Sequence, residues 1–322
     1  MDGRRMPRTG GQVSAADGRV AGRSAFPDWR FAPNIGGHPD IYEIENRGID
    51  PGGHVLAAMR RLARWDGRTI VDLGCGTGFW LAGYAKGAAR VIGVEPDPVL
   101  RATAAARIRD TERAEVVPGS AEHLPLADRS VDVVHARFAY FLAPGADPGG
   151  ARDGRGTTRR VQARNDAGLA EVMRVLTPGG SLIVIDNDYR WGEFADLLAA
   201  ASKVPPQRTA RAVDAWWRER GATRHEVRSQ RRFASRAELA AVLNIEVPAT
   251  TARAWLGRHP TVTSLSCGYV LFAVTRPDRP AADAQPAKPA TNTQPTKPAT
   301  NAQPAKPATI VRPESLSVIA GT

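Results

Sequence analysis

Between about Phe26 and Arg276 the chain alternates short apolar runs with stretches of helical period. Runs at 69–73, 91–95, 114–118, 131–136, 181–186, 224–230 and 268–275 predict seven strands. Several of them, such as Thr69-Ile-Val-Asp-Leu73 and Ser181-Leu-Ile-Val-Ile-Asp186, are almost continuously apolar, which marks strands covered on both faces. Helical segments fall between them, so the pattern predicts an α/β domain with a doubly wound, mostly parallel sheet of seven strands and helices on both faces. Two helix starts are explicit. Asp97-Pro98 supplies an N-cap and a proline at the first helical position, for a helix through about Arg109. Ser235-Arg-Ala-Glu238 is a capping box that opens another.

The ends do not follow this pattern. Residues 1–25 are rich in Gly and Arg without periodicity and read as a disordered segment. At the other end Gln285-Pro-Ala-Lys-Pro-Ala-Thr-Asn-Thr293 recurs from Gln294 and again from Gln303, a proline-dense repeat expected to be an extended tail. The organisation is therefore 1–25, a domain over 26–276, and a tail over 277–322. Within the domain, Pro144 to Arg160 is a Gly- and Arg-rich stretch that reads as a flexible insertion.

The formal charge is +11, with a pI near 10.4. Five Arg and two Asp in residues 1–25, and five basic against three acidic residues in 277–322, leave about half of that excess on the body. Lysine is rare and arginine replaces it, so the charge fits an arginine-rich composition without a nucleic-acid partner. No apolar run reaches the ~18 residues of a spanning helix, and none follows the basic N-terminus as a secretory signal would require. With only two cysteines, Cys75 and Cys267, the expectation is a reduced, cytoplasmic protein. No metal-ligand spacing joins its six histidines and two cysteines.

Candidate chemistry concentrates where the first strand meets Gly74-Cys-Gly-Thr-Gly78. Gly74, Gly76 and Gly78 let backbone approach a ligand closely, and a helix expected from Gly78 or Phe79 points free N–H groups at it. A strand, a glycine turn and a helix make a nucleotide site, although dinucleotide-binding folds use the related G-x-G-x-x-G. Asp72 precedes the turn, and Glu95 ends the next strand, about 20 residues on, where a carboxylate commonly holds ribose hydroxyls.

These residues resemble the class I S-adenosylmethionine (SAM)-dependent methyltransferases, in particular the type 11 methyltransferase domain of the small-molecule branch. Gly119-Ser-Ala-Glu-His-Leu-Pro-Leu through Val134, and Leu169-Ala-Glu-Val-Met-Arg-Val-Leu-Thr-Pro-Gly-Gly through Asp186, are similar to two further blocks of that family, in the same order. The resemblance spans about 65–190 and implies a Rossmann-like fold, SAM as cofactor and methyl transfer to a small-molecule acceptor. It implies that Glu95 accepts from both ribose hydroxyls, and that Asp72 helps hold the methionine ammonium or orders the turn. Ser120 stands where the family commonly has an aspartate for the adenine amino group, which leaves the Ala121 N–H, with Glu122 nearby, to meet adenine. Pro96 and Leu124 flank the base or simply pack, and Cys75 fills the turn.

On the acceptor side the candidates are fewer. Arg137, leaving the fourth strand, is a candidate for the cofactor carboxylate or an acidic substrate; His135 reads as a core histidine. Asp186-Asn-Asp-Tyr189 leaves the fifth strand at its functional end, so Asp186 or Asp188 is a candidate base, against a solvated turn. Asn34 to Asn46 occupies the place of a lid, with Tyr42 and Asn46 on one helical face and Tyr42 a candidate to meet the sulfonium. Trp216-Trp217 and Trp191 are candidates for an aromatic acceptor pocket or for the core. An RNA or protein methyltransferase with gripping basic tails, and a non-catalytic SAM- or nucleotide-binding regulatory protein, are the alternatives. An NAD oxidoreductase is disfavoured by the glycine spacing and by Asp72.

Overall fold

The computed structural model describes Phe26 and residues 32–141, 156–201 and 206–278. The N-terminal segment, the 144–155 part of the expected insertion and the proline-rich repeat lie outside the described residues. The remaining part of that insertion is not loop. A helix already runs from Gly156 to Val175.

Seven strands form one sheet, in the order β3-β2-β1-β4-β5-β7-β6. They are β1 Thr69–Leu73, β2 Arg90–Val94, β3 Ala114–Val117, β4 Val131–Arg137, β5 Leu176–Asn187, β6 Thr223–Arg232 and β7 Ser264–Thr275. All seven expected strands are present. The pairs β1–β2, β1–β4, β2–β3 and β4–β5 are parallel, while β7 runs antiparallel to both β5 and β6. The doubly wound class is thus as expected, with one reversed strand inserted between two that point the same way. A bulge between Val131 and Val133 absorbs the turn at Thr177 to Gly180, so β5 begins at Leu176, ahead of the expected position.

Two apolar layers cover the sheet. Ile70, Val91, Val133, Ile183, Ile185 and Leu271 belong to one, and Val71, Ile92, Val134, Leu182, Val184 and Phe272 to the other. Neighbouring residues of a strand go to opposite layers because side chains alternate across a pleated sheet. The first layer is closed by α2 (Pro39–Gly48), α3 (His54–Leu62), α4 (Leu81–Ala85), α7 (Glu193–Ala201), α9 (Arg236–Glu246) and α10 (Ala249–Arg258), whose buried residues include Met59, Leu81, Leu197 and Val242. The second is closed by α6 (Gly156–Val175) and α8 (Pro206–Glu219), with Trp216 and Trp217 at its centre. Trp217 stacks on Phe272 with centroids 5.4 Å apart. The tryptophan pair is therefore core, on the far side from the lid, and lines no acceptor pocket. Trp191 instead borders an open surface groove with Arg228.

Both explicit helix starts form. Asp97 accepts from the Val99 and Leu100 amides at the head of α5 (Pro98–Arg107), and Ser235 accepts from the Glu238 amide at the head of α9. Glu238 reaches back to the Ala234 amide. The helix after the glycine turn starts later than expected, at Leu81, and lasts five residues. Ala32 precedes a further short helix, α1 (Pro33–Gly37), which leads into α2.

Candidate active site

The carboxyl ends of β1, β2, β3 and β4 converge on the glycine turn. Gly74, Gly76 and Gly78 all hold positive φ, at 77°, 56° and 72°. At Gly74 the reason is also spatial: a Cβ there would stand 2.5 Å from the Ala139 side chain. The turn is tied to β2, because the Gly74 and Cys75 amides both donate to the Val94 carbonyl, at 2.8 and 3.2 Å. Cys75 is a buried filler, its Sγ set against Gly93, and burial pushes its thiol well above the ordinary range.

Glu95 lies directly beyond β2 and is only 5% exposed. One carboxylate oxygen accepts from the Gly76 amide and the other from the Asp97 amide, each at 2.9 Å. The carboxylate is thereby fixed against the turn, with further lone pairs for a diol. Burial raises its pKa to about 7 against the lowering effect of those two amides. The backbone at Glu95 and Pro96 is held by Arg101, whose guanidinium donates to both carbonyls.

Asp72 projects from β1 into the first apolar layer, 3% exposed, with the His135 ring nitrogen 3.7 Å from its carboxylate. Burial raises it to about 7; the Arg137 guanidinium opposes this and Glu95 adds to it. His135 is fully buried and held neutral, its pKa lowered to about 3 by burial and by Arg137. That fits a core histidine. Arg137 stacks over Trp80, 4.1 Å from the ring centroid, and its Nε is buried without a hydrogen-bond partner.

At the end of β3, Ser120 and Ala121 are buried, and Glu122 is ion-paired to Arg164 at 3.0 Å. The Ser120 hydroxyl and the second Glu122 oxygen are buried without partners. Buried polar groups are normally satisfied, so these two orphans at the expected adenine end suit a polar ligand edge. The donor set as a whole, two buried carboxylates beside the glycine turn and polar groups beyond β3, fits S-adenosylmethionine.

A cover lies over this end. Ile35 of α1 reaches the face of Gly76, since a Cβ there would stand 2.8 Å from Ile35 Cδ1. Glu43 of α2 accepts from the Thr77 hydroxyl at 2.5 Å and pairs with Arg107 of α5 at 2.8 Å. Asn34 donates to Glu246 at 3.0 Å. Glu43 and Thr77 were not singled out by sequence; 34 positions apart, they share no periodicity that could have paired them.

The acceptor-side candidates separate. Strand alternation puts Asp186 on the layer of Val184, and Asn187 on the layer of Ile185 with the lid. Asp186 is raised to about 6 by burial, and its own carboxylate accepts from the Asn187 amide at 2.7 Å. Asp188 faces elsewhere. It caps the Arg190 amide at 3.1 Å and lies 3.8 Å from Arg224, within a surface ion network with Asp214. Tyr42 instead stands near Glu45, Glu246, Arg231 and Arg137, and burial raises its phenol. Beside it the buried pair Arg231–Glu45 joins β6 to α2, and Arg231 also reaches Asn187 at 3.4 Å. Sequence reading missed this pair, since an arginine in an arginine-rich strand carries no distinguishing signal.

A Rossmann-like sheet with an acid-glycine turn, a carboxylate ending β2 and a polar β3 end defines the class I SAM-dependent methyltransferase architecture. Residues 70–149 match the family model described as a methyltransferase domain. Over 126 residues it is 34% identical to an uncharacterized 37.1 kDa protein in transposon TN4556 of Streptomyces fradiae, covering 38% of this chain and 31% of that protein. It is 35% identical over 148 residues to the ubiquinone/menaquinone biosynthesis C-methyltransferase UbiE of Rubrivivax gelatinosus, covering 45% and 51%. Arsenite methyltransferase of Halobacterium salinarum is 34% identical over 125 residues, covering 37% and 27%. The chain thus spans about half or less of the length of these relatives.

Proposed function

We propose that the protein transfers a methyl group from SAM to a small-molecule acceptor held at the carboxyl edge of the sheet, beneath α1 and α2. The observation that carries this reading is Glu95, fixed by the Gly76 and Asp97 amides beside the glycine turn. The named small-molecule methyltransferases among the relatives support the acceptor class. Unpaired Cys75 and Cys267 support a reducing, cytoplasmic setting. No helix among the described residues is long and apolar enough to cross a membrane.

SAM supplies a methyl group already activated on a sulfonium, so the chain's work is alignment and exclusion of water. In this reading Glu95 takes both ribose hydroxyls, Asp72 the ammonium and Arg137 the carboxylate. Ser120, Ala121 and Glu122 meet the adenine edge, with Pro96 beside it. Ile35 and the Glu43 contacts hold the cover. Asp186 lies on the layer opposite the cover, so no proton transfer with the acceptor is assigned to it. Tyr42 faces the other side of the same edge and orients the acceptor; Asp188 is set aside because Arg190 and Arg224 already engage it.

Calorimetric titration with SAM and S-adenosylhomocysteine tests the reading. Wild type binds both, Glu95→Ala loses tenfold or more, about 1.4 kcal/mol, and NAD does not bind. Preference for NAD, or no SAM binding, would overturn it.

A further inference from the structure

Asp72 in β1 and His135 in β4 are register partners in neighbouring parallel strands, so both side chains leave the same face of the sheet. Nδ1 of His135 lies 3.7 Å from Oδ1 of Asp72. Arg137 follows two residues later in β4 and leaves the same face one pleat nearer the carboxyl edge. Asp72 is thus flanked by the imidazole at its own level and by the guanidinium on the side where ligands enter.

His135 is packed as a core residue but is not satisfied as one. Its fully buried ring stands edge-on to Tyr84, with centroids 4.8 Å apart, and Tyr84 stands edge-on to Trp65 at 5.6 Å. These contacts fix the plane of the imidazole. Yet neither Nδ1 nor Nε2 has a hydrogen-bond partner. An imidazole kept for packing alone would bury two polar atoms that an apolar side chain of similar size avoids. What distinguishes the Nδ1 side is the carboxylate facing it, and an anion there selects the tautomer with its proton on Nδ1. The separation is longer than a hydrogen bond, so the N–H acts on Oδ1 as a fixed dipole and leaves Oδ2 to meet a ligand.

We propose that His135 is a positioning residue of the cofactor site, holding the Asp72 carboxylate in the orientation that takes the methionine ammonium. This rests on the SAM reading of the site. With no exposed surface, the imidazole itself reaches no ligand and acts through Asp72 alone. A side chain that orients one contact affects only ligands that make that contact. The role of His135 therefore falls on ligands with the amino-acid end and spares those that stop at the sulfur.

The test compares two ligands on the full chain, S-adenosylhomocysteine by calorimetry and methylthioadenosine by displacement. The second keeps the nucleoside and the sulfur but lacks the amino-acid end. Wild type is set beside His135→Leu, His135→Asn and His135→Gln. His135→Leu removes the donor and is expected to lose about three- to tenfold in S-adenosylhomocysteine affinity while methylthioadenosine changes by less than about twofold. The asparagine amide reaches the place of Nδ1, so His135→Asn is expected to bind S-adenosylhomocysteine within about twofold of wild type. The glutamine amide reaches the place of Nε2 instead, and His135→Gln is expected to behave as His135→Leu does. The contrast between asparagine and glutamine decides the matter if His135→Leu does not fold. Equal losses for both ligands, undiminished binding by His135→Leu, or equal binding by the two amide variants overturns the positioning role alone and leaves His135 to packing. Failure of wild type to bind S-adenosylhomocysteine overturns the cofactor reading and this role with it.

Discussion

At the scale of single residues, burial sets the chemistry of the two carboxylates that carry the site. Asp72 and Glu95 are both raised to about 7, each mainly by loss of water. An acid whose folded pKa lies above its unfolded value binds more protons when folded, so its contribution to stability is full below about pH 4 and falls as pH rises towards 7. Ligand-free protein should therefore lose melting temperature across that window, and Asp72→Asn should flatten the loss; an unchanged profile in the variant would show that Asp72 is ordinary. A cationic ligand reverses the balance, because the ammonium favours the ionised carboxylate. SAM affinity is expected to rise about tenfold from pH 5.5 to 7.0 as Asp72 ionises, and to rise by less in Asp72→Asn, where only Glu95 still titrates in that window. The residue-scale misreadings have a common origin. Asp188 looks like Asp186 in sequence, yet β5 ends at Asn187, and Asp188 just beyond it meets Arg190 and Arg224.

At the scale of elements, capping and periodicity were legible and latching was not. Ser235 and Asp97 cap as their spacing requires, because those bonds are made within four residues of chain. The latch that sets α2 on the glycine turn joins Glu43 to Thr77 and Arg107, groups brought together only by the fold. Since Glu43 ties α2 to the glycine turn, Glu43→Ala should speed S-adenosylhomocysteine dissociation by about three- to tenfold with little change in association, measured by stopped-flow chase; an unaltered off-rate would remove Glu43 from the cover. Likewise the Trp216-Trp217 pair lies on a helix whose buried face could have turned to either layer. Its contact with Phe272 assigns it to the core opposite the lid.

Across the whole molecule, the sheet is completed by β7, which ends at Thr275, and the compact unit closes by Pro280. A chain of residues 26–280 is therefore expected to keep the melting temperature and SAM affinity of the full protein at low and moderate salt. Loss of binding on removal of the basic ends, with strong salt dependence, would instead favour the alternative of a gripped acidic partner. The number of strands, their near-complete boundaries, the glycine turn and Glu95 at the end of β2 were determined by the sequence alone. These features depend on local steric preferences and on burial of short runs, which read the same before and after folding. The reversal of β7, the opposite facing of Asp186 and Asn187, the Arg231–Glu45 pair and the passage of Tyr140 over Gly74 were decided only by the tertiary structure. An interior apolar strand carries the same pattern in either direction, and contacts across the carboxyl edge join residues far apart in the chain, so only the assembled sheet selects them.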